Sequence, residues 1–367
     1  MKKDTENFLP EHSKIKIELL NRYLDRYLGI ICNDGYTQRI RVYDLFCSKG
    51  LYGSEDFGSP LVILKCIKQV CFAQKAKGKP VPKIDVYFND KNIKKVEILK
   101  QNVSELNLHY SEFGALTFTA NDYQDEAHKV ITLLPSLKNE KVFLFIDPFG
   151  YKFIKASQIK AIMGEKNAEV LLFLPTQFMY RFDGARPVAL QDFISEIVDI
   201  NVWKPNSSIF LYIEQIKEGF RKFMGPGYFV DTFTIQKEPQ TAFCLFFFSS
   251  HIRGFEKMLE SKWEIDTAEG RGWKYERSGH LFAQDRNELE DSLLGFLKEA
   301  KTNSELFAFT LSLGFLPKHI NEVLTALQQE NRIIVIKSDG APARKGAFYI
   351  SYDNYKHEPE RITIKLS

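Results

Sequence analysis

Several acidic residues sit where short apolar runs end. Asp44 ends the run Arg39 to Asp44, Asp90 follows IDVYF, Asn121-Asp122 follow LTFTA, and Asp147 follows VFLFI. Each placement suits a different piece of chemistry. At a strand tip Asp44 can accept hydrogen bonds from a cationic amino group or a water, and Asp90 can hold a pair of ribose hydroxyls. Asn121 and Asp122 could meet an adenine edge. In Asp147-Pro148-Phe149-Gly150 a carboxylate stands beside a proline-stiffened turn and an aromatic face, a setting suited to holding and deprotonating a planar amine or a stacked base. Between Asp44 and Gly53 the spacing Ser48-x-Gly50-x-x-Gly53 approximates the dinucleotide-binding G-x-G-x-x-G, whose glycines let backbone approach a ligand closely. Singly, each acid reads as a turn residue or helix cap. On successive strand ends they read together as a ligand site.

The elements that must position these residues follow from periodicity. Ser13 to Ile31 carries apolar residues at helical spacing and predicts an amphipathic helix. Five short apolar runs then alternate with helical stretches, among them Leu61 to Lys75, Lys91 to Leu106 and Ala156 to Met163. Near-continuous apolar strands alternating with helices predict a buried parallel sheet, which binds ligands outside the carboxyl ends of its strands. Ile209 to Phe223 predicts another helix. Tyr228 to Gln236 and Thr241 to Ser249 predict an antiparallel pair joined by Lys237-Glu238-Pro239-Gln240, giving about seven strands. From about Gln284 the order changes to three helices (Asn287 to Ala300, Ser304 to Leu313, Pro317 to Glu330), the strand RIIVIK, a loop and the strand AFYIS. That is the order of a winged helix-turn-helix, so the expected division is 1–283 and 284–367.

These motifs have a family look. Asp44-Leu-Phe-x-x-x-Gly50, Gly58-Ser59-Pro60-Leu61 and Phe145-Ile146-Asp147-Pro148-Phe149-Gly150, behind an N-terminal lysine-rich helix, resemble the three-Cys-motif partner proteins of bacteria across nearly the whole chain. The resemblance implies a Rossmann-like class I methyltransferase fold using S-adenosylmethionine, with a C-terminal winged helix. DPFG is also similar to the catalytic motif of tRNA guanine-N2 dimethyltransferases and to the D/N-P-P-Y/F motif of amino-methyltransferases. Carried over, Asp44, Ser48 and Gly50 line the methionine side of the cofactor, with Phe46 beside them. Asp90 holds the ribose, and Asn121 and Asp122 lie near the adenine. Asp147 and Phe149 face the acceptor as catalytic residues, with Tyr52, Ser59, Pro148 and Gly150 as substrate contacts. Two positions depart from the pattern: Ser48 stands where the loop usually has glycine, and Phe149 replaces the second proline. The family name implies a separate cysteine-motif partner resembling radical S-adenosylmethionine enzymes. The alternative to an amine or base methyltransferase is therefore a cofactor-binding, non-catalytic subunit serving that partner.

Composition narrows the rest. The 367 residues are 44% hydrophobic and 26% charged, which excludes disordered and fibrous classes. A net charge of +3 predicts no general affinity for polyanions. From Gln284 onward, eleven Lys+Arg meet twelve Asp+Glu, a net −1, so only a weak nucleic-acid contact through Lys318, Arg344 and Lys345 is expected there. Five cysteines without CxxC, seven scattered histidines, no signal-like N-terminus and no long apolar run predict a cytoplasmic protein without disulfides, metal site or membrane span. A nicotinamide oxidoreductase is disfavoured because Asp90 lies 37 residues beyond Gly53, against about 20 in that fingerprint. No P-loop sequence is present.

Overall fold

The first unit owes its architecture to apolar runs too short for helices and too continuous for a solvated sheet face. In a computed structural model, which describes residues 8–53, 56–185, 187–199, 201–203, 207–238, 241–274 and 286–367, these runs become strands. They are β1 (Arg39–Asp44), β4 (Lys83–Asn89), β5 (Leu116–Thr119), β6 (Glu140–Ile146), β7 (Ala168–Leu174), β8 (Phe229–Glu238) and β9 (Thr241–Ser249). A small ribbon, β2 (Leu51–Tyr52) with β3 (Asp56–Phe57), stands apart, and β10 (Gly272–Lys274) adds an edge strand. The sheet order is β10-β8-β9-β7-β6-β1-β4-β5, parallel from β5 to β7 and antiparallel on both sides of β9. The expected seven-strand sheet with its antiparallel pair is thus present, with β10 as an eighth strand. Of the link between β8 and β9, Pro239 and Gln240 lie outside the described residues, as do the expected boundary at 283/284, His280 and Gln284.

Alternate residues of each central strand go to opposite faces. Leu144, Ile146, Leu172 and Leu174 pack with α4 (Tyr123–Leu133), α5 (Ala156–Met163), α7 (Val188–Ile197) and α8 (Ile209–Met224). On the other face Phe143 and Phe247 meet Tyr23 of α1 (Glu11–Ile31), with ring centroids 5.8 and 4.8 Å apart. The α1 helix buries Leu19, Leu20, Tyr23, Leu24, Tyr27 and Leu28 and lies beside α2 (Ser59–Ala76). At about 1.5–3 kcal/mol for each large apolar side chain, that stripe alone accounts for why a helix from the chain terminus is held on the sheet. Tyr23 also donates to the buried Glu169 of β7, which accepts a second bond from Ser249 at 2.6 Å; burial raises the Glu169 carboxyl above its ordinary range. Between the strands run α3 (Ile93–Glu105) and the short α6 (Thr176–Arg181).

The chain divides into two compact units: residues up to Gly254 with the segment from Gly272, and Phe255–Arg271 with the C-terminal residues. The second contains most of α9 (Ile252–Ile265), then α10 (Arg286–Phe296), α11 (Asn303–Ser312), α12 (Pro317–Gln329) and α13 (Tyr352–His357). A three-stranded sheet, β11 (Lys301–Thr302), β13 (Ile362–Leu366) and β12 (Ile333–Lys337), completes it. The three predicted helices and the strand RIIVIK are where the pattern put them. The strand predicted at AFYIS is not formed. Phe348 and Ile350 are buried without joining a ladder, and the antiparallel partner of β12 is β13. Thr302 caps α11 in a reciprocal capping box with Glu305.

Candidate cofactor and acceptor site

The order β5-β4-β1-β6-β7 means that the chain winds outward one way from β1 and the other way from β6. Loops therefore part above the β1/β6 boundary, the place where open sheets of this order take ligands in a crevice at the carboxyl edge. Register places the acids there. Asp44 is level with Phe88 of β4 and Phe145 of β6, so Asp90 and Asp147 stand two residues beyond it on either side. The three carboxylates share one place, with Asp44 the deepest.

Asp44 is fully buried. Its Oδ1 accepts the Phe46 N–H at 3.2 Å, while Oδ2 is enclosed with no hydrogen-bond partner among the described residues. Burial raises its carboxyl to about 7; the nearby Ser59 hydroxyl and the Phe46 N–H favour the anion, and Asp147 and Asp90 add repulsion. An unpartnered buried carboxylate oxygen beside two other acids is a receptor for a cation or a strong donor. Asp90 is better satisfied: it accepts from Ser48 N at 3.2 Å and Asn92 N at 2.9 Å, with Lys95 Nζ 3.8 Å away. Each carboxylate oxygen has a lone pair left for a hydroxyl.

The loop after β1 turns through left-handed residues: Ser48 (φ 56°), Gly50 (φ 78°) and Gly53 (φ 61°). Ser48 takes the conformation that glycine would take at no cost. At Gly50 a Cβ would lie 2.5 Å from Leu99 Cδ1, so backbone there is pressed against α3. The expected strand-loop-helix is interrupted. Gly53 follows β2 of the β2–β3 ribbon, and α2 begins only at Ser59, returned to the loop by the Gly58 N–H to Gly50 C=O bond of 2.6 Å. Tyr52 donates to Ser48 Oγ at 3.1 Å; burial, followed by Asp147, Asp44 and Asp90, raises its phenol, against the lowering effect of that bond.

On the β6 side, Asp147 is held by Lys16 of α1 at 2.6 Å. Lys16 is almost wholly buried and lies 4.0 Å over the Phe173 ring. Next to it His12 stacks on Phe243 at 5.1 Å, and burial together with Lys16 and Lys237 lowers it to about 4, so it is neutral at pH 7. Pro148 is buried. Phe149 is 77% exposed, with Lys95 4.6 Å over its ring, which ties DPFG to the Asp90 side of the crevice. Gly150 has extended backbone (φ −162°) and needs no glycine there.

Three predicted residues are engaged within the protein. Phe46 stacks on Tyr123 at 5.2 Å. Asn121 donates to Glu126 at 2.5 Å. Asp122 caps α4 through Gln124 N and pairs with Lys91 at 2.8 Å, contacts that lower its carboxyl. Three further residues came only with the structure. Asn89 fastens the ends of β4, β1 and β5 by bonds to Thr119, Asn121 and Leu45. Lys95 bridges Asp90 and Phe149. Lys16 had a signal in the sequence, a lysine on the apolar stripe three and four residues before Leu19 and Leu20. The five cysteines are free and buried. Among the described residues no cluster of metal-binding side chains is found, and no helix is long and apolar enough to cross a membrane.

Residues 266–340 match the family model of a GMT-like winged helix-turn-helix domain. The chain is similar in structure to the O-methyltransferase from Bacillus cereus solved with S-adenosylhomocysteine, at 12% identity over 65% of this chain and 84% of that one, with a TM-score of 0.36. It is also similar to the N-terminal domain of human METTL16 with S-adenosylhomocysteine, at 14% identity over 67% and 74%, with a TM-score of 0.30. No curated protein matches the sequence.

Proposed function

We propose that the first unit binds S-adenosylmethionine and transfers its methyl group to an amine or base of a nucleic acid or nucleotide-like substrate. The observation that carries this reading is the buried, unpartnered Oδ2 of Asp44 between the acids of the two neighbouring strands. The residues present fit the cofactor: Asp44 suits a cationic group, the left-handed residues Ser48 and Gly50 turn the loop beside the acids, and Asp90, held by the Ser48 N–H, has lone pairs for ribose hydroxyls. The bound cofactor would supply an activated methyl on a sulfonium. The chain's part is then to align the acceptor and exclude water. Asp147 would orient the acceptor N–H and take its proton as the new N–C bond forms and the methyl–sulfur bond breaks, the bonding pair leaving on sulfur as a neutral thioether, and Phe149 would offer a face on which a planar base stacks. An incoming amine has to replace the Lys16 ammonium on Asp147.

A second reading has its own support. A carboxylate already neutralised by a buried lysine at 2.6 Å is poorly placed to accept a proton. On that reading the chain binds cofactor without turnover and serves a radical-S-adenosylmethionine-like cysteine-motif partner in the cytoplasm. In either case Lys318, Arg344 and Lys345, all exposed, are the second unit's candidates for touching nucleic acid.

Titration of S-adenosylmethionine into the full chain, with NAD as control, tests the proposal. At 100-fold over its dissociation constant a ligand of the folded state stabilises by about 2.7 kcal/mol. Binding that disappears in Asp44→Asn and weakens in Asp90→Asn is expected. Absence of binding at millimolar cofactor, or equal binding of NAD, would sink it. Turnover on nucleic-acid pools then separates the two readings.

A further inference from the structure

Around the crevice, three short segments are unlike the rest of the chain. Residues 91–95 at the start of α3, 149–155 after β6, and 176–182 in and after α6 contain six Lys or Arg and no Asp or Glu, in a protein whose overall charges nearly cancel. The same segments carry exposed rings. Besides Phe149, Phe153 is 54%, Phe178 41% and Phe182 43% exposed. Because β6 and β7 are adjacent and parallel, Phe153 and Phe178 follow neighbouring strand ends on one edge of the sheet. Lys94, Lys152 and Lys155 are exposed and form no ion pair among the described residues, and Arg181 lies 6.0 Å over the Phe178 ring.

We infer that this edge is a track for single-stranded nucleic acid, with Phe153 and Phe178 stacking bases on either side of the target and Lys152 and Lys155 meeting the phosphates. Exposed aromatic faces interleaved with cations are what a single strand requires, since unstacked bases need a π-surface and the backbone needs positive charge. A duplex hides its base faces and would leave the rings unused. A protein partner would also cover rings, but protein interfaces are depleted in lysine, whereas this edge is rich in it. The inference rests on the methyltransferase reading only in taking Phe149 to face the target base. Strand binding itself requires no cofactor.

The test is fluorescence anisotropy of a labelled 20-nucleotide oligo-U and oligo-dT, and of a duplex of the same length, with the full chain and no cofactor. Single strands are expected to bind more tightly than duplex. Phe153→Ala and Phe178→Ala should each weaken binding about tenfold, with thermal melts unchanged. Lys152→Gln with Lys155→Gln should flatten the log–log salt dependence by about 1.4, at ~0.7 per phosphate contact. Lys318→Gln, Arg344→Gln and Lys345→Gln together should leave single-strand binding in place. Duplex binding as tight as single-strand binding, indifference to the ring variants, or dependence on the second unit's three cations would overturn the inference. So would a concentration-dependent dimer abolished by Phe178→Ala, which would assign the rings to a second copy. Failure of cofactor titration with intact strand binding would count against the methyltransferase reading alone.

Discussion

Asp44 is where burial and charge compete most directly. Its folded carboxyl titrates near 7, against 3.8 when unfolded, so between those values the native state holds the extra proton. Stability from this group is therefore complete below about pH 4 and is lost as pH rises through 7, a loss on the order of 4 kcal/mol at pH 8. Asp44→Asn should melt higher than the parent at pH 8 and about equally at pH 4, as read by circular dichroism. A cation bound at Oδ2 reverses the preference, so cofactor binding should release a proton near pH 6.5, detectable as a buffer-dependent calorimetric heat. His12 works with the opposite sign. Held neutral down to about 4, it opposes folding as pH falls below 6.5, and His12→Phe should soften that acid-side loss. If Asp147 takes the acceptor proton as proposed, Lys16→Met is expected to free it and raise turnover in a methyl-transfer assay, and a loss of turnover that Lys16→Arg restores would assign the lysine a positioning role instead.

At the scale of elements, the loop after β1 works because neighbours leave it no alternative. Gly50 combines φ 78° with Leu99 Cδ1 at 2.5 Å from any added Cβ. Gly50→Ala should cost about 1–3 kcal/mol and weaken cofactor binding together with stability, measured by urea melts and titration. Asn89 is the pin that keeps three strand ends together, so Asn89→Ala leaves the Thr119 and Asn121 donors unanswered and should loosen Asp90 and Asn121 in the same step. The ribbon β2–β3 explains why a glycine spacing close to the dinucleotide pattern does not make a dinucleotide loop. The helix that would follow begins six residues after Gly53, at Ser59.

For the whole molecule, division into two units suggests where a ligand should be felt. Calorimetry is expected to resolve two transitions, with cofactor raising only the one that Asp44→Asn also moves. A single transition raised as a whole would mean that the units unfold together. Charge is apportioned unevenly as well. In the second unit Arg332 is taken up by Glu290 and Glu330 and adds nothing to the candidate contacts Lys318, Arg344 and Lys345. Salt-dependent nucleic-acid binding should accordingly reside in the first unit.

Hydrophobic periodicity in the sequence was enough for the alternation of strands and helices, the antiparallel pair, and the gathering of acids at strand ends, because burial and the two backbone periods act locally. It could not tell which residues answer one another across the fold. AFYIS has the alternation of a strand, yet Phe348 and Ile350 are buried without a ladder, since apolar pattern dictates which side chains go inside and not which backbone they pair with. Asp122, grouped with Asp44 by pattern, caps α4 and pairs with Lys91, whereas Asp44 is buried, and the sequence pattern does not carry that difference in solvent access. The pairing of Lys16 with Asp147 joins residues 131 positions apart. That contact was decided when α1 packed across the sheet, by the area buried under Tyr23 and its neighbours.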